Sequence, residues 1–245
     1  MKWKKILVVC FNVIIAAYLL LAVTAFNKPV DKQTACNDIR INIEEGVIEG
    51  FLTTAAVRNI LNEEHINPIG KRMDEVNLRF MEERLNAQEL IENAECYKTQ
   101  DGCVDIRITE RVPVMRIMAA NGEDYYVDKD GKTLKNTGFA CNLAVATGCI
   151  DRRYASRVLA PIGKLIMADD FWRSQIEQVN VLPDSTLEMV PRVGDHIVYL
   201  GAPTGIAKKL QRLRKFYKYG LSQAGWNKYS RISVEFHNQI VCKKR

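Results

Sequence analysis

The side chains able to do chemistry are few and scattered. His65, His196 and His237 are the only histidines. None has a second metal-type ligand at useful spacing, and there is no HExxH. Asp128, Asp130 and Gly131 superficially resemble the start of a calcium loop. The other acidic ligands and the distal glutamate are missing, so the cluster reads as a hairpin turn. Asp169 and Asp170 are neighbours in a helical stretch. They point about 100° apart and form no carboxylate dyad. There is no GxSxG elbow, no SxxK and no Walker loop. A dispersed triad would leave no local trace, but nothing here calls for a cofactor or a metal. The expectation is a protein without catalytic, cofactor-binding or metal-binding residues.

Seven cysteines remain. Cys10 lies inside an apolar run, facing lipid or a partner helix. Cys36, Cys96, Cys103, Cys141, Cys149 and Cys242 lie beyond it, and no pair has CxxC spacing. In an oxidising compartment six thiols permit disulfides. Cys96 and Cys103 flank a short turn, Lys98 to Gly102, and in a hairpin they could meet at bridgeable distance. The alternative is that they are small buried apolar residues.

Charge placement says more than the total of +6 on 245 residues. Lys2, Lys4 and Lys5 precede the apolar run, and every acidic residue lies beyond position 30. The remaining 32 basic residues face 29 acidic ones, too even a balance for nucleic-acid binding. Ile6–Phe26 contains no charge. As a helix it would span roughly 31 Å, the thickness of a bilayer's hydrocarbon core. The three lysines place residues 1–5 in the cytoplasm and everything after Phe26 outside. The rival reading is a cleaved signal peptide, cut near Val23-Thr24-Ala25, but the run is longer than such a segment's apolar region.

The elements beyond the anchor follow from periodicity. Residues 27–36 read as a linker. Ile39, Ile41 and Ile43 alternate with polar residues as in a half-buried strand, and Gly46 and Gly50 bracket a turn. Thr53 or Thr54 caps a helix carrying Val57, Ile60 and Leu61 on one face. A second helix is expected within Met81–Ala94, burying Leu85, Leu90 and Ile91. Strands at Cys96–Lys98 and Val104–Thr109 flank Asp101-Gly102. The order β-α-α-β-β over residues 37–111 is a small α+β unit with two helices on one sheet face. Residues 112–245 read as a mixed β domain with covering helices. Strands are expected at Met115–Ala119, Tyr125–Asp128, Val179–Leu182, Thr186–Val190 and His196–Leu200. A helical stretch runs from Arg153 to Ile176, interrupted by Pro161. Thr204 opens the clearest helix, with Ile206, Leu210, Leu213, Tyr217 and Leu221 in one stripe and Lys208, Lys209, Arg212, Arg214, Lys215 and Lys218 around it. Its basic side could meet lipid headgroups or nucleic acid, but the regular stripe favours a surface helix on a sheet. Ile232–Phe236 and Gln239–Cys242 are the last strands, ending in Lys243, Lys244 and Arg245. Such a final strand leaves an edge for another chain's strand, unless its cations only blunt it.

In this order the chain resembles the FtsQ/DivIB division proteins, along nearly its whole length. Thr109-Glu110-Arg111-Val112-Pro113-Val114 resembles the family's ERxPV segment between two domains. Tyr126-Val127-Asp128-Lys129-Asp130-Gly131 is similar to its hhDxxG hairpin. Gly201, Lys209-Leu210 and Leu213 to Tyr217 resemble its LG…eKLxxLxxfY helix. The stretch from Gly225-Trp226-Asn227-Lys228-Tyr229 to Cys242 is similar to the Bacteroidetes branch. The resemblance implies a POTRA-type domain followed by a β domain. It also implies a divisome scaffold at the inner membrane that binds FtsB/DivIC-like and FtsL-like proteins by strand addition during septum formation. Carried over by position, the partner-binding residues are Ile232, Val234, Glu235, Phe236, His237, Gln239, Ile240 and Val241. Ser233 and Glu235 stand where the family often has Asp and Arg, and Asn238-Gln239 replaces the usual glycine turn. Strand addition is therefore implied without the family's ion pairs. The competing class is a POTRA-bearing envelope assembly or transport factor, which would want several POTRA copies or a long-stranded barrel.

Overall fold

The computed structural model describes residues 2–26, 35–44, 52–136 and 142–245. The expected linker up to Thr34, the turn at Gly46 and Gly50, and Cys141 lie outside the described residues, as does the side chain of Cys10. The chain opens with helix α1, Lys2–Phe26. Among the described residues no helix is long and apolar enough to cross a membrane. The rest divides into two compact units, one mainly from Thr53–Ala87 and Asn93–Ile108 with residues through Glu44, the other from Thr109–Arg245 with Gln88–Glu92.

The first unit contains β1 (Asp38–Glu44), α2 (Thr54–Glu63), α3 (Leu78–Asn86), β2 (Ile91–Lys98) and β3 (Cys103–Glu110). Its three strands lie in the order β1-β3-β2. Alternation buries Ile39, Ile106 and Ile108 of the strands, and the helices bury Val57, Leu61, Met81 and Leu85. Thr53 caps α2 by accepting from the Ala56 N–H at 3.1 Å. Helix α3 starts and stops earlier than its apolar pattern predicts. Asn77 caps it by accepting from Phe80 N–H, and Asn86 at its end accepts from Ala94 N–H at 2.8 Å. Ile91 is thereby the first residue of a strand, fully buried, rather than part of a helix. The hairpin register also corrects the expected Cys96–Cys103 bridge. Thr99 N–H donates to the Cys103 carbonyl at 3.0 Å, so Cys103 sits opposite Thr99 and not Cys96. Both are buried free thiols, and burial pushes Cys96 up to about 12.

The second unit is one mixed sheet of nine strands: β4 (Pro113–Ala119), β5 (Asp124–Asp128), β6 (Thr133–Lys135), β7 (Val145–Gly148), β8 (Ile176–Val181), β9 (Leu187–Pro191), β10 (Ile197–Gly201), β11 (Tyr229–Ser233) and β12 (Val241–Lys244). The spatial order is β12-β11-β10-β9-β8-β7-β4-β5-β6. Pairs β4–β7, β7–β8 and β10–β11 are parallel. Two of these need helical crossovers. Between β7 and β8 the chain forms α4 (Arg152–Tyr154), a π-helical segment (Ala155–Leu159), α5 (Ala160–Met167) and α6 (Asp170–Gln175). The π segment comes just before Pro161, which cannot donate the next helical hydrogen bond. Between β10 and β11 lie α7 (Ile206–Phe216), a second π-helical segment (Tyr217–Leu221) and α8 (Ser222–Ala224).

Handedness decides where these helices go. Strands β7, β8, β10 and β11 point the same way, and both crossovers step toward β12. Right-handed connections therefore put both helical groups on the same face. Leu159, Ile162, Ile166, Trp172, Leu210, Leu213 and Leu221 accordingly share one core with Met115, Ile117, Ala146, Val179, Met189, Val198 and Ile232. The alternate strand positions, including Arg116, Thr147, Gln178, Asn180, Tyr199 and Arg231, carry half-exposed side chains on the other face.

The two sequence patterns around Pro113 and Gly131 meet inside this unit. The Arg111 guanidinium donates to Asp128 Oδ2 at 2.7 Å and to the carbonyls of Glu89 and Ile91 at 3.1 and 3.0 Å. The other Asp128 oxygen accepts from the N–H groups of Asp130 and Lys132 at 2.9 and 2.7 Å. The Asp128 side chain is 1 % exposed and that of Arg111 10 %. Asp128 is thus committed to a tight turn and to one buried cation.

Candidate functional site

Among the described residues the C-terminal strands form one edge of the nine-stranded sheet, with β12 outermost. Strand β11 is positioned by parallel pairing to β10, Val198 opposite Ile232 and Tyr199 opposite Ser233. Val234 N–H extends that ladder by donating to the Tyr199 carbonyl at 3.0 Å. Strand β12 returns antiparallel, with Val241 opposite Ser233, Cys242 opposite Ile232 and Lys243 opposite Arg231. A register shift between Tyr229 and Arg231 absorbs one residue. Both strands lie later or start earlier than their alternation suggests. The expected Ile232–Phe236 strand is Tyr229–Ser233, and the expected Gln239–Cys242 strand is Val241–Lys244.

Helix α7 decides the path between them. Arg212 donates to the Val234 carbonyl at 2.6 Å and to the His237 carbonyl at 2.9 Å. These two bonds hold the chain on either side of Glu235-Phe236. One turn earlier, buried Lys209 donates to the carbonyls of Leu200 and Ala202, both at 2.7 Å. Burial lowers the Lys209 ammonium's pKa, with Glu235 acting in the opposite sense. Between those carbonyls Gly201 takes a left-handed conformation (φ 68°), and its missing side chain leaves room for Glu235. The helix starts at Ile206, with Gly205, also left-handed, at its N-cap, and not at Thr204 as expected.

The eight residues singled out in the sequence separate into two groups. Ile232 and Val234 point into the core and are fully buried, so their side chains are not available to a partner. Glu235, His237 and Gln239 are exposed, Phe236 is 50 % exposed and Val241 48 %. Ile240 is half-buried against the core. Lys243 and Lys244 belong to the edge strand itself and add to its outward charge.

Residues 112–243 match the family described as FtsQ/DivIB, C-terminal related. The chain belongs to that family. Residues 34–109 match the POTRA-like domain. No curated protein matches the chain. With both domains in place it is an FtsQ/DivIB-like cell division protein.

Several other titratable groups of this FtsQ/DivIB-like chain take part in packing and capping. His196 is buried with its Nε2 2.9 Å from the Tyr217 hydroxyl, in a cluster with the rings of Tyr217 and Trp226. Burial lowers the His196 pKa and raises that of Tyr217. Asp169 caps α6 by accepting from Phe171 and Trp172 N–H groups and pairs with Arg214 at 2.6 Å. His65 follows α2 with a positive φ of 56°, and His237 contributes its carbonyl to Arg212. The clasp formed by Lys209 and Arg212 escaped sequence reading. One signal was present: Lys209 follows Ile206 by three and precedes Leu213 by four, so it falls within the apolar stripe rather than beside it.

Proposed function

We propose that this protein is a non-enzymatic divisome scaffold. Its β12 edge receives a β-strand from an FtsB/DivIC-like partner, with an FtsL-like protein in the same complex, linking early and late division proteins. The observation that carries this reading is the position of β12. An outermost strand offers a row of backbone N–H and C=O groups, and main-chain pairing supplies affinity while side-chain pockets supply selectivity. Val241 at its start and Phe236 in the preceding turn are the exposed apolar anchors. Lys243 and Lys244 make the edge cationic, which discourages pairing with copies of itself.

The described residues alone give no membrane-crossing helix; the same reading rests on the uncharged run Ile6–Phe26 and takes it as an inner-membrane anchor with the N-terminus cytoplasmic and the folded units periplasmic. Phe11, Val13, Ile14, Leu19 and Leu20 are all exposed and fall around the whole of α1, the pattern of a helix apolar on every side. Protease added to spheroplasts should digest the folded units; full protection would refute the topology.

The edge is tested by co-purification of the full-length protein with the DivIC/FtsB-like protein of the same organism. Phe236→Ala and Val241→Asp should each abolish recovery of the partner while leaving the thermal midpoint within a few degrees of wild type. Undiminished recovery with both variants would refute the edge as the binding site.

A further inference from the structure

We infer that Arg212 is the positioning residue for the partner-binding turn: by clasping the Val234 and His237 carbonyls it presents Phe236 and sets the register of β12. This rests on the edge-docking reading above and adds to it a residue that lies on a helix, outside the strands.

The segment from Val234 to Ile240 has no strand or helix of its own. After Val234 N–H leaves the ladder at Tyr199, regular pairing resumes only at Val241. A free chain of that length would sample many conformations, and each would deliver β12 at a different register. Arg212 removes that freedom with two charge-assisted bonds from one planar guanidinium. Their acceptors bracket Glu235 and Phe236. Glu235 is turned toward Gly201, so Phe236 is left outward. Lys209, held by Leu200 and Ala202, fixes the floor on which Glu235 rests. The clasp and the exposed side chains divide the labour, α7 fixing the backbone and the turn displaying the anchor.

The consequence for binding is a matter of population. A partner that pairs only with the correctly registered edge binds with an apparent dissociation constant divided by the fraction of chains in that register. Cutting that fraction to a tenth weakens binding about tenfold without removing any contact to the partner.

The test uses the full chain in detergent and, as probe, the purified extracytoplasmic segment of the DivIC/FtsB-like protein. Arg212→Ala should weaken the affinity at least about tenfold. It should accelerate hydrogen exchange of the Val241–Lys244 amides by a similar factor, while amides of β8 and β9 exchange as in wild type. Arg212→Lys, which keeps a cation able to reach one carbonyl, should fall between. Wild-type affinity in Arg212→Ala, alongside lost binding in Phe236→Ala and Val241→Asp, would overturn the positioning role alone. Faster exchange throughout the sheet would overturn it in favour of a general stabilising role. Undiminished binding in Phe236→Ala and Val241→Asp would overturn the edge reading and this inference with it.

Discussion

Replacing Asp128 by alanine should be among the most damaging single changes in the second unit. The Arg111–Asp128 pair is almost wholly sequestered, 10 % and 1 % exposed. Asp128→Ala leaves the Arg111 cation with only the Glu89 and Ile91 carbonyls, and strips Asp130 and Lys132 N–H of their acceptor. Breaking a buried pair from one side costs about 3–5 kcal/mol. For a unit of this size that lowers the thermal midpoint by roughly 6–20 °C. Asp128→Asn keeps an oxygen for the turn but not the charge, so roughly half the loss is expected. Trp172 and Trp226, both in this unit, report unfolding by fluorescence. In a double-mutant cycle with Arg111→Met the coupling should be at least about 1.5 kcal/mol. If Asp128→Ala costs less than about 1 kcal/mol, the pair is not what ties the two motifs together.

Three further changes probe other parts of the fold. The pKa of His196 is lowered by burial, so the unfolded chain binds the proton more readily. Its contribution to stability is full above about pH 6.5 and is lost as pH falls toward the depressed folded value. The midpoint should therefore drop between about pH 7.5 and 5.5, and His196→Gln should flatten that slope; an unchanged slope refutes the assignment. Gly148 sits at φ 99°, where an added Cβ would collide with the Val181 carbonyl oxygen. Gly148→Ala should cost roughly 2–4 kcal/mol in denaturant titration, and a neutral result would contradict the close approach of β7 and β8. Leu213, fully buried on the inner face of α7, should cost about 2–5 kcal/mol of stability on truncation to alanine, measured the same way.

Much of this architecture is legible in the residues because local rules and tertiary packing agree. Thr53 caps where a cap is expected, and the stripe from Ile206 to Leu221 faces the core as its spacing requires. Disagreements arise where tertiary pairing overrides pattern. Strand β7 is only Val145–Gly148, with too few residues to show a period, yet it holds the middle of the sheet between two parallel neighbours. Ile91 lies in an apolar spacing that suits a helix, but Asn86 ends the helix before it. At the edge, alternation from Ile232 to Phe236 continues past the point where Arg212 draws the backbone away from β10. Sequence reveals that Arg212 is basic and on a helix, but not that carbonyls converge on it.

The one-sided covering of the large sheet carries a consequence for whatever strand joins it. An added neighbour of β12 would lie with alternate residues beside Cys242 and Ile240, under the helical layer, and the intervening ones beside Val241 and Lys243, in water. Its covered positions must therefore be greasy, and those between them hydrophilic except where one meets the exposed apolar Val241. Candidate binding segments in division proteins can be ranked by that two-beat rhythm before any complex is assembled.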